Sequence, residues 1–323
     1  MVVGWFFSCG LFGNRLVLIE STEFLMSTNV TVKIYVQNKK NGEEILEKIF
    51  SETKRIESIM QPLEGGGELQ HINKSVSGEW FVLSPELKTV LDRSFFFFEK
   101  SDGAFDPTVA AVKWLWEFDK DGRIPSEDEL DEALKTVGLS KVSLNGDSLS
   151  LGGYGSKLDL GGIAKGYIVD RITDILKDNS IVSGLINAGG DIYTFGRKPN
   201  GDNWIIGLSH PRMNKTIVLD YIPLQAVATS GDYERYFTHN GVRYHHILDP
   251  KSGKPARECA SVTVWTETAM DADILATTIF VLGPERGIAL AESMDNVETL
   301  VFYEEDGSLK HVASSGIRDI IKL

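Results

Sequence analysis

The sequence predicts an α+β fold of mainly antiparallel sheets with packed helices. Two observations carry this reading. Short runs of alternating apolar residues flank hairpin turns at Asn145-Gly146 and Asp306-Gly307, and stretches with helical periodicity lie among them without the regular strand-helix alternation of a doubly wound sheet. No internal repeat or low-complexity linker divides the chain.

TVKIYV (31–36) alternates as a strand does. Between Glu43 and Met60, Ile45, Ile49, Ile56 and Met60 recur mostly at helical spacing and predict an amphipathic helix, which EGGGE (64–68) ends. Ser84-Pro85 opens a second helix running to about Lys100, with FFFF (95–98) expected in the core. Ser126 and Glu129 have capping-box spacing. Val142, Leu144, Leu149 and Leu151 predict the arms of the Asn-Gly hairpin. A helix carrying Ile168, Ile172 and Leu176 runs to about Lys177. Strands are expected in 185–196, 204–209 and 216–222, helices over 271–282 and 284–293, and a last hairpin at Asp306-Gly307.

The chain has 323 residues, 42% of them apolar, enough for one large domain or two. A net charge of −13 without a basic block argues against nucleic acid and leaves small molecules or protein as partners. Two cysteines, Cys9 and Cys259, make no disulfide framework, and the six histidines form no HExxH pattern. No apolar stretch approaches the roughly 20 residues of a membrane span. The opening MVVGWFFSCG has two readings: a lead-in outside the fold, or the tail of a lipoprotein signal with Cys9 as the lipidated residue. Residues 1–22 are therefore set apart from a domain over 23–323. Lipidation would place the protein at the bacterial cell envelope.

GGYGSK (152–157) lacks phosphate-loop spacing, and Ser230 lacks a GxSxG context. LDLGGIAKG (158–166) is a stronger candidate. Glycines at a helix start let a ligand meet free N–H groups that favour anions, Lys165 adds a charge for phosphate, and Asp159 can orient a hydroxyl or ring N–H. The plainer reading makes Asp159 a helix cap and Lys165 a surface residue. NAGGD (187–191) repeats the glycine pair before an aspartate, and Thr229 and Ser230 are expected in a small-residue turn. HHILDP (245–250) sets His245, His246 and Asp249 before a proline-led turn. Asp273 and Thr277 share one helix face, and such oxygen donors suit a hard cation such as Mg²⁺.

GAFDPTV, LDLGGIAKGYIVD, NAGGDIYTFG, ATSGDYERYF, HHILDPKSGKP and DADILATTIFVLG together resemble the FAD:protein FMN transferase (ApbE-type) family, in the family's order and over about Glu23 to Gly283. The resemblance implies a T-fold-like architecture, FAD as substrate, Mg²⁺, and transfer of FMN onto a threonine hydroxyl of a target flavoprotein with release of AMP. Carried over by position, Met26 contacts the flavin nucleotide, and Ala104, Phe105 and Asp106 line the adenosine side with Asp159 and Lys165. Ile247 borders the nucleotide. Asp273, Thr277 and the main-chain carbonyl of Gly162 hold the metal. Two departures stand out: Met26-Ser27-Thr28 where the family often has Met-Gly-Thr, and GGELQHIN (66–73) where a Ser-Glu-Leu-Ser segment is common.

In this reading His246 is the general base and Asp249 orients it, although His245 is adjacent and periodicity does not say which of the two faces inward. Two other functions use the same residues. A Mg²⁺-dependent FAD pyrophosphatase would replace the threonine with water. A non-catalytic flavin-binding protein would need the glycine pairs but not Asp273 and Thr277.

Overall fold

The computed structural model describes residues 16–321 apart from Asp119, Tyr154, residues 219–221 and Pro223; Cys9 lies outside them. The chain forms β1 (Val17–Leu25), β2 (Thr28–Val36), α1 (Lys39–Met60), α2 (Glu68–Lys74), β3 (Trp80–Val82), α3 (Pro85–Lys100), α4 (Ala110–Leu115) and α5 (Glu127–Leu134). Then come β4 (Val142–Asn145), β5 (Ser148–Leu151), α6 (Ala164–Asp178), β6 (Gly184–Ala188), β7 (Asp191–Phe195), β8 (Gly207–Ser209) and β9 (Thr216–Val218). The last part holds β10 (Ala226–Gly231), β11 (Tyr236–His239), β12 (Val242–His245), β13 (Ser261–Thr266), α7 (Ala269–Glu292), β14 (Glu298–Glu305) and β15 (Ser308–Ala313).

Eight strands make the central sheet in the order β1-β2-β6-β7-β10-β13-β14-β15, and every neighbouring pair is antiparallel. Side chains alternate between its faces, and each face is covered by a different layer. On β10, Ala226 and Ala228 enter the main core while Val227 enters a second one; on β13, Val262 and Val264 oppose Trp265 in the same way. Helices α1, α6 and α7 fill the main core with Ile49, Ile56, Ile168, Ile172, Ile274 and Phe280. The β8–β9 hairpin and the C-terminal Ile317 cover the other face. A smaller cluster joins α4 and α5 to the β11–β12 hairpin around Trp116, whose Nε1–H donates to the Gly253 carbonyl at 2.9 Å.

The α+β expectation holds, as do the 142–151 hairpin and the capping box, where Ser126 N–H donates to Glu129 Oε2 at 2.8 Å. Four expectations are corrected. The sheet begins at Val17, ahead of the boundary set at Glu23. Of the four phenylalanines only Phe97 is buried, because a 3.6-residue period cannot turn four consecutive side chains inward; Phe96 is 44% exposed beneath the Arg93 guanidinium. The strands expected over 204–209 and 216–222 shrink, among the described residues, to 207–209 and 216–218. Thr229 and Ser230 lie within β10, not in a turn.

By length and composition α7 could cross a membrane, but it is a core helix buried between sheet and α6. It breaks at Gly283, just before Pro284, where φ is +82° and ψ is 173°, a conformation open essentially to glycine alone. Gly283→Ala should therefore lower stability by about 1–3 kcal/mol, read as a shift in urea midpoint; an unchanged midpoint would show that the break does not depend on glycine.

Candidate functional site

A half-buried lysine joins three elements at one end of the sheet. Lys165, in the first turn of α6, places Nζ 2.9 Å from Asp191 Oδ2 at the start of β7 and 3.2 Å from Asp273 Oδ1 on α7. The other Asp273 oxygen accepts from Gly166 N–H at 3.0 Å. Burial opposes the charge on Lys165, but Asp191 and Asp273 overcome it and hold the ammonium protonated. Burial, reinforced by the neighbouring Asp273, pushes Asp191 well above the usual carboxylate range. Glu234, on the exposed loop after β10, lies close enough for its charge to act on both Lys165 and Asp191.

One helical turn beyond Asp273, Thr277 faces the glycine turn ahead of α6. A Cβ built on Gly162 would stand 3.2 Å from Thr277 Oγ1 and 3.3 Å from the Phe105 ring, so the backbone approaches closely because residue 162 has no side chain. Ser230 Oγ lies 3.4 Å from Thr277 Oγ1. Gly162, Asp273 and Thr277, expected to hold a metal, thus lie together. Their donors are all oxygen, and the second lone pairs of the Asp273 oxygens remain available, so the set fits a hard cation. Among the described residues no three His, Cys, Asp or Glu side chains form a metal site, which leaves this set dependent on hydroxyl and carbonyl donors.

The second half of the site centres on Asp159. Lys113 Nζ, on α4, lies 2.9 Å from each Asp159 oxygen, and Gly161 N–H donates to Oδ1 at 2.9 Å. Burial alone would raise the Asp159 carboxyl; Lys113 and the Gly161 N–H reverse that and hold it below its ordinary value. The charges of Lys113 and Asp159 both act on the His246 ring. His246 Nδ1 lies 3.2 Å from the Arg235 carbonyl, which can only accept, so Nδ1 carries the proton and Nε2 keeps a lone pair. Burial, with Lys113 and Arg235 adding positive charge, lowers this imidazole to about 3.

The neighbouring histidine has a different role. His245 is 2% exposed, meets Phe280 edge to face, and donates from Nε2 to the Ala256 carbonyl at 2.8 Å, leaving Nδ1 buried without a partner. Successive residues of an extended segment point to opposite sides, so His245 enters the core while His246 faces Asp159.

Other expected site residues are placed differently. Asp249 does not orient His246: its Oδ1 accepts from Lys251 N–H at 2.9 Å and shapes the turn, because a short carboxylate readily bonds the backbone two residues on. Asp106 caps the following turn through Thr108 N–H at 2.8 Å and accepts from Leu139 N–H at 3.1 Å, while lining a cavity of about 380 Å³ with Phe98, Gly103, Val137 and Pro250. Ala104, Phe105 and Ile247 are buried in the core, with Phe105 backing the glycine turn. Met26 and Ser27 form the β1–β2 turn with φ of +54° and +56°, held by Met26 N–H donating to Glu57 Oε1 at 2.7 Å.

Asp191, Lys113 and Glu57 were not among the expected residues. Asp191 had a signal, the glycine pair directly before it, which mirrors the pair after Asp159. Lys113 and Glu57 had none, since each lies on an ordinary helical stretch and meets its partner only through the fold.

The ApbE family model matches residues 26–301. An FAD:protein FMN transferase of Treponema pallidum is 33% identical over 93% of this chain and 88% of its own length, and one of Vibrio cholerae is 32% identical over 92% and 90%. Among solved structures, the flavin transferase ApbE from Vibrio cholerae superposes with a TM-score of 0.86 at 29% identity, covering 95% of this chain and all of that one. The ApbE protein of Thermotoga maritima gives 0.85 at 35% identity, with the same coverage.

Burial lowers His245 to about 4. Between the unfolded value near 6.5 and that value, the unfolded chain takes up a proton that the folded chain refuses, so stability falls as pH drops through this window, by up to about 3 kcal/mol. His245→Phe removes the titration and should lose less stability than wild type between about pH 7.5 and about pH 4.5. Equal losses in urea midpoint would place the acid sensitivity elsewhere.

Proposed function

The chain belongs to the ApbE family, and on that premise we propose that it transfers FMN from FAD to a threonine hydroxyl of a target flavoprotein, releasing AMP, with Mg²⁺ bound. The observation that carries this reading is the meeting of the Gly161–Gly162 turn with Lys165, Asp273 and Thr277: open backbone, a cation and hard oxygen donors suit a diphosphate with a divalent ion. Charge balance points the same way. Asp159 and Asp273 already engage Lys113 and Lys165, so little positive charge is left for an incoming diphosphate and a further cation offsets it. Cys9 remains part of the proposal as an envelope anchor, supported by the apolar run before it.

In the transfer, a bond forms from threonine Oγ to the FMN phosphorus, the anhydride P–O bond breaks, and AMP leaves with the electron pair. When bound, Mg²⁺ would offset charge on the diphosphate and ease that departure. Lys165 and the backbone at the start of α6 hold the phosphates in line, which supplies most of what phosphoryl transfer requires. His246 Nε2 takes the threonine proton, while the Arg235 carbonyl fixes the ring through Nδ1–H. With a value near 3, burial holds this histidine as the free base but a weak one; an anion arriving beside it raises its basicity.

Mass spectrometry of an acceptor protein bearing a threonine site, incubated with the enzyme, FAD and Mg²⁺, should show the mass of FMN less water. Chelation of the metal and Asp273→Ala should each abolish the addition. AMP release without acceptor, with the acceptor unmodified, would instead identify a pyrophosphatase.

His246→Ala should slow transfer by roughly 10²–10⁴, the usual share of a general base, with little change in FAD affinity. His245→Ala should affect stability more than rate. A fast His246→Ala enzyme would assign the proton to another group.

A further inference from the structure

Lys113 has no part in the chemistry derived so far, yet it occupies a position that stability does not explain. Its side chain is 20% exposed and that of Asp159 13%, so the pair is largely removed from water. Such pairs recover little more than their desolvation cost, and replacing both partners together with apolar residues is often neutral. The Nζ also stands 3.4 Å from where a Cβ on Gly161 would be, at the open side of the glycine turn. The helix that carries it is pinned: Trp116 bonds the Gly253 carbonyl and stacks among Phe118, Phe237 and Tyr244, which ties α4 to the hairpin leading into His246. Lys165, by contrast, is already shared between two carboxylates.

We propose that Lys113 is a positioning residue of the transfer: it fixes the Asp159 carboxylate against the Gly161–Gly162 turn and supplies the positive charge on that side of the dinucleotide site. The proposal rests on the flavin-transfer reading above. The charged and titratable groups facing His246 are Lys113 from α4, Asp159 from the segment before α6, Arg235 from the loop before β11, and His245 beside it. Losing the Lys113 charge therefore acts both on FAD binding and on the pH at which His246 becomes a base. Arginine at 113 keeps the charge and can bridge a carboxylate bidentately.

The test compares wild type, Lys113→Met and Lys113→Arg by FAD fluorescence titration and by steady-state transfer to an acceptor. Lys113→Met leaves Asp159 unpaired and should lower the thermal midpoint, while in the folded protein it raises the Kd and KM for FAD about 10- to 100-fold and changes kcat at saturating FAD and optimal pH far less. The acid limb of its rate profile should move to higher pH, and Lys113→Arg should restore affinity to within about threefold. Should the methionine variant fail to fold, Lys113→Gln is read in the same way. Wild-type FAD affinity and an unmoved pH profile in the neutral variant would overturn the proposal, as would a loss that arginine does not rescue. Wild type that binds FAD but leaves the acceptor unmodified would sink the transferase reading, while the titration still judges Lys113.

Discussion

The ion triad of Lys165, Asp191 and Asp273 is the constraint on which both fold and site depend. It links the first turn of α6, the first residue of β7 and the second turn of α7, three elements apart in sequence. Each carboxylate is nearly free of solvent, so neither tolerates ionisation without the lysine, and the lysine tolerates burial only between them. Gly166 N–H completes the arrangement by using the free donors at the helix start on Asp273. Under the proposed function, the groups that hold these elements together are also those assigned to the anionic substrate and its cation.

Around the triad, position is set by packing rather than by further ion pairs. The doubly covered sheet fixes β7 and β10 from both faces, which leaves Asp191 and Ser230 little freedom. On the opposite flank the aromatic cluster of Trp116, Phe118, Phe237 and Tyr244 seats α4 against the β11–β12 hairpin and sets the spacing between Lys113 and His246. The β1–β2 turn packs against the Gly189–Gly190 turn that leads into β7. Ser27 sits there at positive φ, and a Cβ on Gly189 would collide with Thr28. The left-handed conformation of Met26 and Ser27 is strain held by Glu57 through the Met26 N–H.

Much of this was legible in sequence because it depends on local rules. Alternation and turn dipeptides identified the hairpins, the capping box identified α5, and the glycine pairs pointed to backbone that something approaches closely. The Asp273–Thr277 spacing placed both side chains on one helix because both lie on α7. What escaped was long-range. Lys113 meets Asp159 across 46 residues, and no periodicity in α4 distinguishes a lysine aimed inward from one in water. Asp249 failed for the opposite reason: a local hydrogen bond to Lys251 claimed a carboxylate that the motif suggested for longer reach. FFFF looked like core because composition ignores the helical period.

The paired histidines carry one more implication. Strand β12 belongs to a two-stranded ribbon, with Tyr236 paired to His245 and His239 to Val242. Side-chain facing on such a ribbon has a period of two, and a slip by one residue exchanges the sides. In a slipped ribbon His246 would be driven toward Phe280 and His245 would meet Asp159, with Nδ1–H no longer anchored on the Arg235 carbonyl. If His246 acts as proposed, alignment of this small ribbon is itself a determinant of activity, and a chain of ordinary secondary-structure content would be inert through misalignment alone. The stacked Phe237 and Tyr244, 5.3 Å apart and 12° from coplanar, lock that alignment.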